Sequence, residues 1–144
     1  LGTLTAMAAF GSFLGALTLA RFSEFQRKGL MLIGVAALYG AGILAVGMSS
    51  LFAVSIILIT VVGMMAALFD ALQWGLLQAN VPDPMRGRAL GGWMFAIGFG
   101  WIGHLELGAV SEAIGVHWAL AIHGALIIVV SMVALSLAKS LRQA

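Results

Sequence analysis

Residues 51–80 read LFAVSIILITVVGMMAALFDALQWGLLQAN, a run whose one charged side chain is Asp70. A membrane span needs about 20 mostly apolar residues, each adding about 1.5 Å of helix, and this run exceeds that. Lipid offers no partner for backbone N–H and C=O groups, so a run this long must bond within itself as a helix. It is too long for a perpendicular span. It either tilts or extends beyond the bilayer, with the span itself at about 51–79.

Four more apolar runs flank it, at 1–20, 30–48, 90–110 and 118–138. The breaks are short: RFSEFQRKG (21–29), Ser49-Ser50, VPDPMRGR (81–88, with both prolines of the chain), SEAIGVHW (111–118) and the tail KSLRQA (139–144). No linker divides the chain. The reading is all-α: one polytopic transmembrane bundle of five spans over residues 1–144.

Composition excludes the alternatives. Of 144 residues 62% are hydrophobic, only 8% are charged, and the mean hydropathy is +1.13. A soluble domain carries about 25% charged residues to build its polar shell, so the spans are expected to face the lipid bilayer. The net charge of +2 does not indicate nucleic acid, because the basic residues form no stripe or patch. With no Cys there is neither a disulfide framework nor a thiolate metal site. The chain begins at Leu1 with no basic stretch before the first apolar run, so that run is not a signal peptide. The simplest expectation is a longer protein whose front end is missing.

The basic residues give an orientation. Arg21, Arg27 and Lys28 lie in the first break, Arg86 and Arg88 in the third, Lys139 and Arg142 in the tail; the second and fourth breaks have none. By the positive-inside rule the basic breaks and the C-terminus are cytoplasmic and the N-terminus lies outside.

Small residues recur at helical spacing: Gly11 and Gly15 in the first span, and Ala96, Gly100, His104 and Gly108 along one face of the fourth. Such stripes let helix backbones approach closely in lipid, and neither has an obvious partner within the chain. The last run ends ALIIVVSMVALSLA (125–138), bulky and aliphatic as a lipid-facing helix is.

Charge at membrane depth costs about 2.5–3.5 kcal/mol on insertion scales, so each polar residue there needs a reason. Asp70 shares a helix face with Gln73, Trp74, Leu77 and Gln78, and Thr60, Gly63 and Ala67 extend that face. Two readings stand: a wall of an aqueous substrate cavity formed by Asp70, Gln73, Trp74 and Gln78, or an ion pair from Asp70 to Arg86 or Arg88. His104 and Glu106, two residues apart, point to different faces. Glu106 is either a protonatable coupling group, alongside Asp70, or a solvated interfacial carboxylate; burial would favour its neutral form. His104 and His123 read as packed, structural histidines. HxE at 104–106 lacks the i, i+4 spacing of a helical metal pair, so no metal and no cofactor is expected. GGWMFAIGFGWIG (91–103) lies inside a span and follows no strand, so it is no phosphate cradle. No nucleophile or ligand set points to an enzyme.

VPDPMRGRALG (81–91) resembles the VPDExRGRxxG loop between the tenth and eleventh helices of major facilitator superfamily transporters, most closely the branch of enterobactin and multidrug exporters, where the preceding helix also ends in a Leu-Leu-Gln-like stretch (Leu76-Leu77-Gln78 here). RFSEFQRKG resembles a degenerate GxLaDRxGRR loop of the same superfamily. Gly15 and Glu24 match its glycine and acid and Arg27-Lys28 its basic end, while Phe25 stands where Arg is common. The resemblance maps the chain onto helices eight to twelve; helices two to six compete, and the proline-rich loop and basic tail favour the former. It implies a secondary active transporter of small molecules, a proton-coupled exporter of a bacterial inner membrane working by alternating access with a missing N-terminal half. It implies gating roles for Glu24, Arg27, Lys28, Asp83, Arg86, Gly87 and Arg88. The tenth helix would line the cavity, the eighth and eleventh would pack between halves, and the ninth and twelfth would face lipid. The rival readings are a structural or assembly membrane protein and a membrane enzyme using His104 and Glu106.

Overall fold

The computed structural model describes residues 2–21 and 28–137. Among them there are six helices: α1 (Gly2–Arg21), α2 (Lys28–Met48), α3 (Phe52–Asn80), α4 (Asp83–Gly98), α5 (Gly100–Ile114) and α6 (Val116–Leu137). Since α4 and α5 together form one candidate span, Asp83–Ile114, five helical segments are long and apolar enough to cross a membrane. The chain is an all-α transmembrane bundle.

The helices pack in the order α1, α3, α2, α6, α5, while α4 touches α3 only lightly. The α1–α3 seam is built on glycine. A Cβ on Gly11 would overlap the Thr60 carbonyl, and one on Gly63 would overlap the backbone of Ala8. The Ser12 hydroxyl crosses the seam to the Gly63 carbonyl at 3.1 Å. Across α2–α6, Gly40 and Gly124 meet so closely that a Cβ on Gly124 would lie 2.6 Å from the Gly40 oxygen. Hydroxyls at depth bond back to carbonyls of their own helices: Thr18 to Leu14 (2.8 Å), Thr60 to Ile56 (2.9 Å) and Ser131 to Ile127 (2.8 Å). This is how lipid-buried hydroxyls are satisfied. Few side chains among the described residues are closed off: a cluster around Val35, Leu68 and Leu72, with Ile33, Ala119 and Ser131. Side chains as large as Phe95 (70% exposed) and Leu137 (78%) face outward, which suits lipid and would be an aggregation hazard in water. In α6 the outward side chains include Leu126, Val129, Val130 and Met132, while Ser131 is buried.

Four expectations are corrected. The Gly11/Gly15 stripe does have a partner in the chain, α3. Thr60, Gly63 and Ala67 form α3's side of that seam, so they are not a cavity wall; small residues at helical spacing serve close packing and water-lining alike, and spacing alone does not separate them. The third break is no eight-residue loop: the chain turns at Val81-Pro82, and α4 starts at Asp83 with Pro84 in its first turn. Proline lacks the N–H that a first turn leaves unbonded anyway, and an acid there suits the helix dipole; the same residues that suggest a turn start a helix. The fourth break shrinks to Gly115, whose φ of 88° reverses the chain, and α5 and α6 extend to either side of it.

The fourth span is broken where glycines flank Phe99. Its N–H reaches back to the carbonyls of Ala96 and Ile97, and its φ, ψ of −85°, 0° lie at the edge of the helical region. Glycine costs about 1 kcal/mol per residue in a helix interior, and Gly98 and Gly100 concentrate that cost at one point.

Candidate functional site

Asp70 stands exposed on α3, on the flank between the α1 seam and the α2 contact. It lines a cavity of about 410 Å³ with Ala66 and Phe69 of α3, Ala36 and Tyr39 of α2, and Ile127 of α6. The wall is aliphatic and aromatic around one carboxylate and one phenol. Such a chamber holds an apolar body and fixes its polar end at a single point. Tyr39 was not among the sequence candidates. The available signal was that it is the chain's sole tyrosine and lies within an apolar run.

The other three residues on the expected polar face go elsewhere. Trp74 packs on Trp93 of α4, ring centroids 4.7 Å apart and planes tilted 58°; this joins α4 to α3. Gln73 is half-buried on α3 outside the cavity lining. Gln78 lies exposed near the end of α3, and its backbone carbonyl accepts a 3.5 Å bond from the Arg86 guanidinium. Arg86 also pairs with Asp83 one turn earlier at 2.8 Å. Among the described residues Asp70 therefore has no ion pair with Arg86 or Arg88, and the ion-pair reading of Asp70 is set aside.

The remaining loop residues separate by position. Glu24 and Arg27 lie outside the described residues, and Lys28 is the exposed first residue of α2. Gly87 and Arg88 lie in the first turns of α4 and are exposed; a Cβ on Gly87 would meet nothing.

At the far side of the bundle, Glu106 of α5 and His123 of α6 meet, Oε2 to Nε2 at 3.3 Å. The sequence leaves Glu106 either a protonatable coupling group or a solvated interfacial carboxylate and reads His123 as structural, and it pairs neither with the other. Contact across the Gly115 turn brings them together, and neither hydropathy nor spacing within one helix encodes it. The Nδ1–H of His123 donates to the Ala119 carbonyl at 2.9 Å. His104 does not share this contact; its Nδ1–H donates to the Gly100 carbonyl of its own helix at 2.9 Å, and the residue is exposed rather than packed. His117 ties the start of α6 to the end of α2 through the Gly47 carbonyl at 2.9 Å. His104 and Glu106 thus point to different partners and form no joint site. Set against models of known families, curated proteins and solved structures, the chain matches none.

Proposed function

We propose that this chain is the C-terminal half of a major facilitator superfamily transporter, helices eight to twelve, and that the transporter exports small molecules in exchange for protons. The observation that carries the reading is Asp70: a carboxylate opening into an apolar chamber between α2, α3 and α6, on the helix that the resemblance assigns to the substrate cavity. A charge at that depth is costly in lipid and is expected where substrate, ion or water must pass. The bundle would rock against the N-terminal half, its partner, around a midplane site. The basic breaks would face the cytoplasm of a bacterial cell, with the spans in its inner membrane. Glu24, Arg27 and Lys28 of the first break, with Asp83, Arg86, Gly87 and Arg88 at the start of α4, would set the closing geometry at the cytoplasmic mouth.

The Asp70 chamber calls for no covalent step. Its apolar lining suits amphiphilic solutes with a basic or hydrogen-bonding end. The test is efflux of a fluorescent lipophilic cation from cells expressing the complete reading frame, with and without a proton uncoupler. Uncoupler-sensitive efflux that falls on Asp70→Asn at unchanged membrane level is expected. Equal dye retention with and without the protein would refute the proposal.

A further inference from the structure

The Glu106–His123 contact holds more than a pair of side chains. The Ala119 carbonyl can only accept, so the His123 Nδ1 that faces it at 2.9 Å carries a hydrogen. In a neutral imidazole the other nitrogen, Nε2, is then a bare lone pair. The Glu106 Oε2 facing it at 3.3 Å is also a lone pair when the carboxyl is ionised. Two lone pairs do not bond. A hydrogen bond between them needs one further proton, as imidazolium with carboxylate or as imidazole with carboxylic acid. Both arrangements are neutral overall. Loss of that proton leaves a net charge of −1 and two acceptors face to face.

We propose that Glu106 and His123 form a proton-binding site that fastens α5 to α6 when occupied and releases it when empty. The location favours this. Counting about 1.5 Å per residue from the Gly115 turn, both groups lie roughly 12–14 Å along their helices, inside a hydrocarbon layer about 30 Å thick. A neutral, proton-sharing pair is stable there, and the lone carboxylate left by deprotonation is not. The consequence for the fold follows from packing: among the described residues α5 contacts no helix but α4 and α6, and the α4–α5 segment has no buried residue. The Glu106–His123 contact is thus one of few specific contacts that hold this arm, beside the Trp74–Trp93 stacking that joins α4 to α3.

The neighbouring titratable groups do not supply the proton bond. From α5, His104 is turned to Gly100, and Glu112 lies further toward the Gly115 turn. From α6, His117 is held on the Gly47 carbonyl. Of the α2 residues that meet α6, Gly40, Leu44 and Gly47 are not titratable, while Tyr39 of α2 and Asp70 of α3 face α6 at Ile127, one turn beyond His123. At the far end of α4, Asp83 and Arg86 pair with each other and Arg88 stands exposed. The site deepens the transport reading by naming where the coupling proton binds, and it rests on that reading only for its use in transport.

The test needs no substrate. In the Cys-free chain, Ile102→Cys on α5 and Val130→Cys on α6 carry spin labels, and their separation is measured in nanodiscs between about pH 5 and pH 9. In parallel, nitrogen NMR of ¹⁵N-histidine reads whether Nδ1 and Nε2 of His123 both carry hydrogen. The expected result is a shift to longer, broader separations as pH rises, at the same midpoint at which the His123–Glu106 proton is lost. Glu106→Gln, whose amide donates to a bare Nε2 and accepts from Nε2–H, should keep the short separation throughout and abolish the shift. Should that variant fail to insert, His123→Gln provides the same comparison. A separation that does not change with pH in the unaltered chain, or the same shift in the Glu106→Gln chain, overturns the proposal. Dye efflux with a pH-insensitive pair would sink the proton site and leave the transporter; a titrating pair without efflux would do the reverse.

Discussion

Glycine substitutions on two stripes should have opposite signs. On α1, Gly11→Ala places a methyl where the Thr60 carbonyl already stands. The seam has backbone on both sides, so no flexible side chain can give way and the helices must separate. Overpacking of this kind costs about 1–3 kcal/mol. Separation also loosens the 3.1 Å bond from Ser12 to the Gly63 carbonyl, a contribution of about 0.6 kcal/mol for an average hydrogen bond between membrane helices. Against this, alanine improves the helix by about 0.8–1 kcal/mol. The net is a destabilisation of about 1–3 kcal/mol. On α5, Gly108→Ala meets nothing within 4 Å, so only the propensity gain remains, about 0.5–1 kcal/mol of stabilisation. Reversible unfolding of the chain in mixed micelles, followed by helical circular dichroism, reads both. Similar changes for the two variants, or a stabilised Gly11→Ala, would refute the packing argument. In a complex with the proposed N-terminal half the Gly108→Ala gain should vanish or reverse, because that face would then be covered.

The basic asymmetry predicts that single cysteines at Ser50 and Ser111 react with an impermeant thiol reagent added outside intact cells and that one at Ser23 does not; outside labelling of Ser23 would invert the orientation. Asp83 and Arg86 are solvent-facing, so Arg86→Ala should change unfolding stability by no more than about 1 kcal/mol, and a larger loss would mean the pair organises the turn. Arg88→Ala should slow dye efflux at nearly unchanged apparent affinity, since the residue lies outside the Asp70 cavity; an affinity loss at normal maximal rate would place it at the substrate. Asp70→Asn should insert at the normal level, having no basic partner to strand; loss of expression that Arg86→Ala restores would reinstate the ion pair.

How far the sequence can be read depends on how far each signal reaches. Span number and helical state were legible, because lipid forces long apolar runs into helices wherever they pack. Boundaries were less so at Pro82-Asp83-Pro84, where turn chemistry and helix-start chemistry use the same residues. Partners across helices were not legible. Asp70 with Tyr39, and Glu106 with His123, become neighbours only once the order α1, α3, α2, α6, α5 is known, and no periodicity within one helix carries that order.

The two glycine stripes show why. Gly11/Gly15 and Gly100/Gly108 present the same kind of pattern, glycines one or two helical repeats of four apart on an apolar helix. The first is consumed inside the chain, against Thr60, Met64 and Ala67, and a Cβ at either of its glycines would collide. The second meets nothing among the described residues. Small-residue spacing therefore states that a backbone can approach, and leaves open whose. The charge at depth separates the fates of the two helices. α1 has no acidic or histidine side chain in its described length, and it needs only a packed neighbour. α5 carries Glu106, which its own helix does not satisfy and which His123 reaches only with a proton between them. A helix with one bonded flank and one uncovered small-residue face is positioned to move when that bond is lost. The Gly108 face and the Glu106 proton are thus two parts of one expectation, that the α4–α5 arm is the element of this bundle that shifts between states.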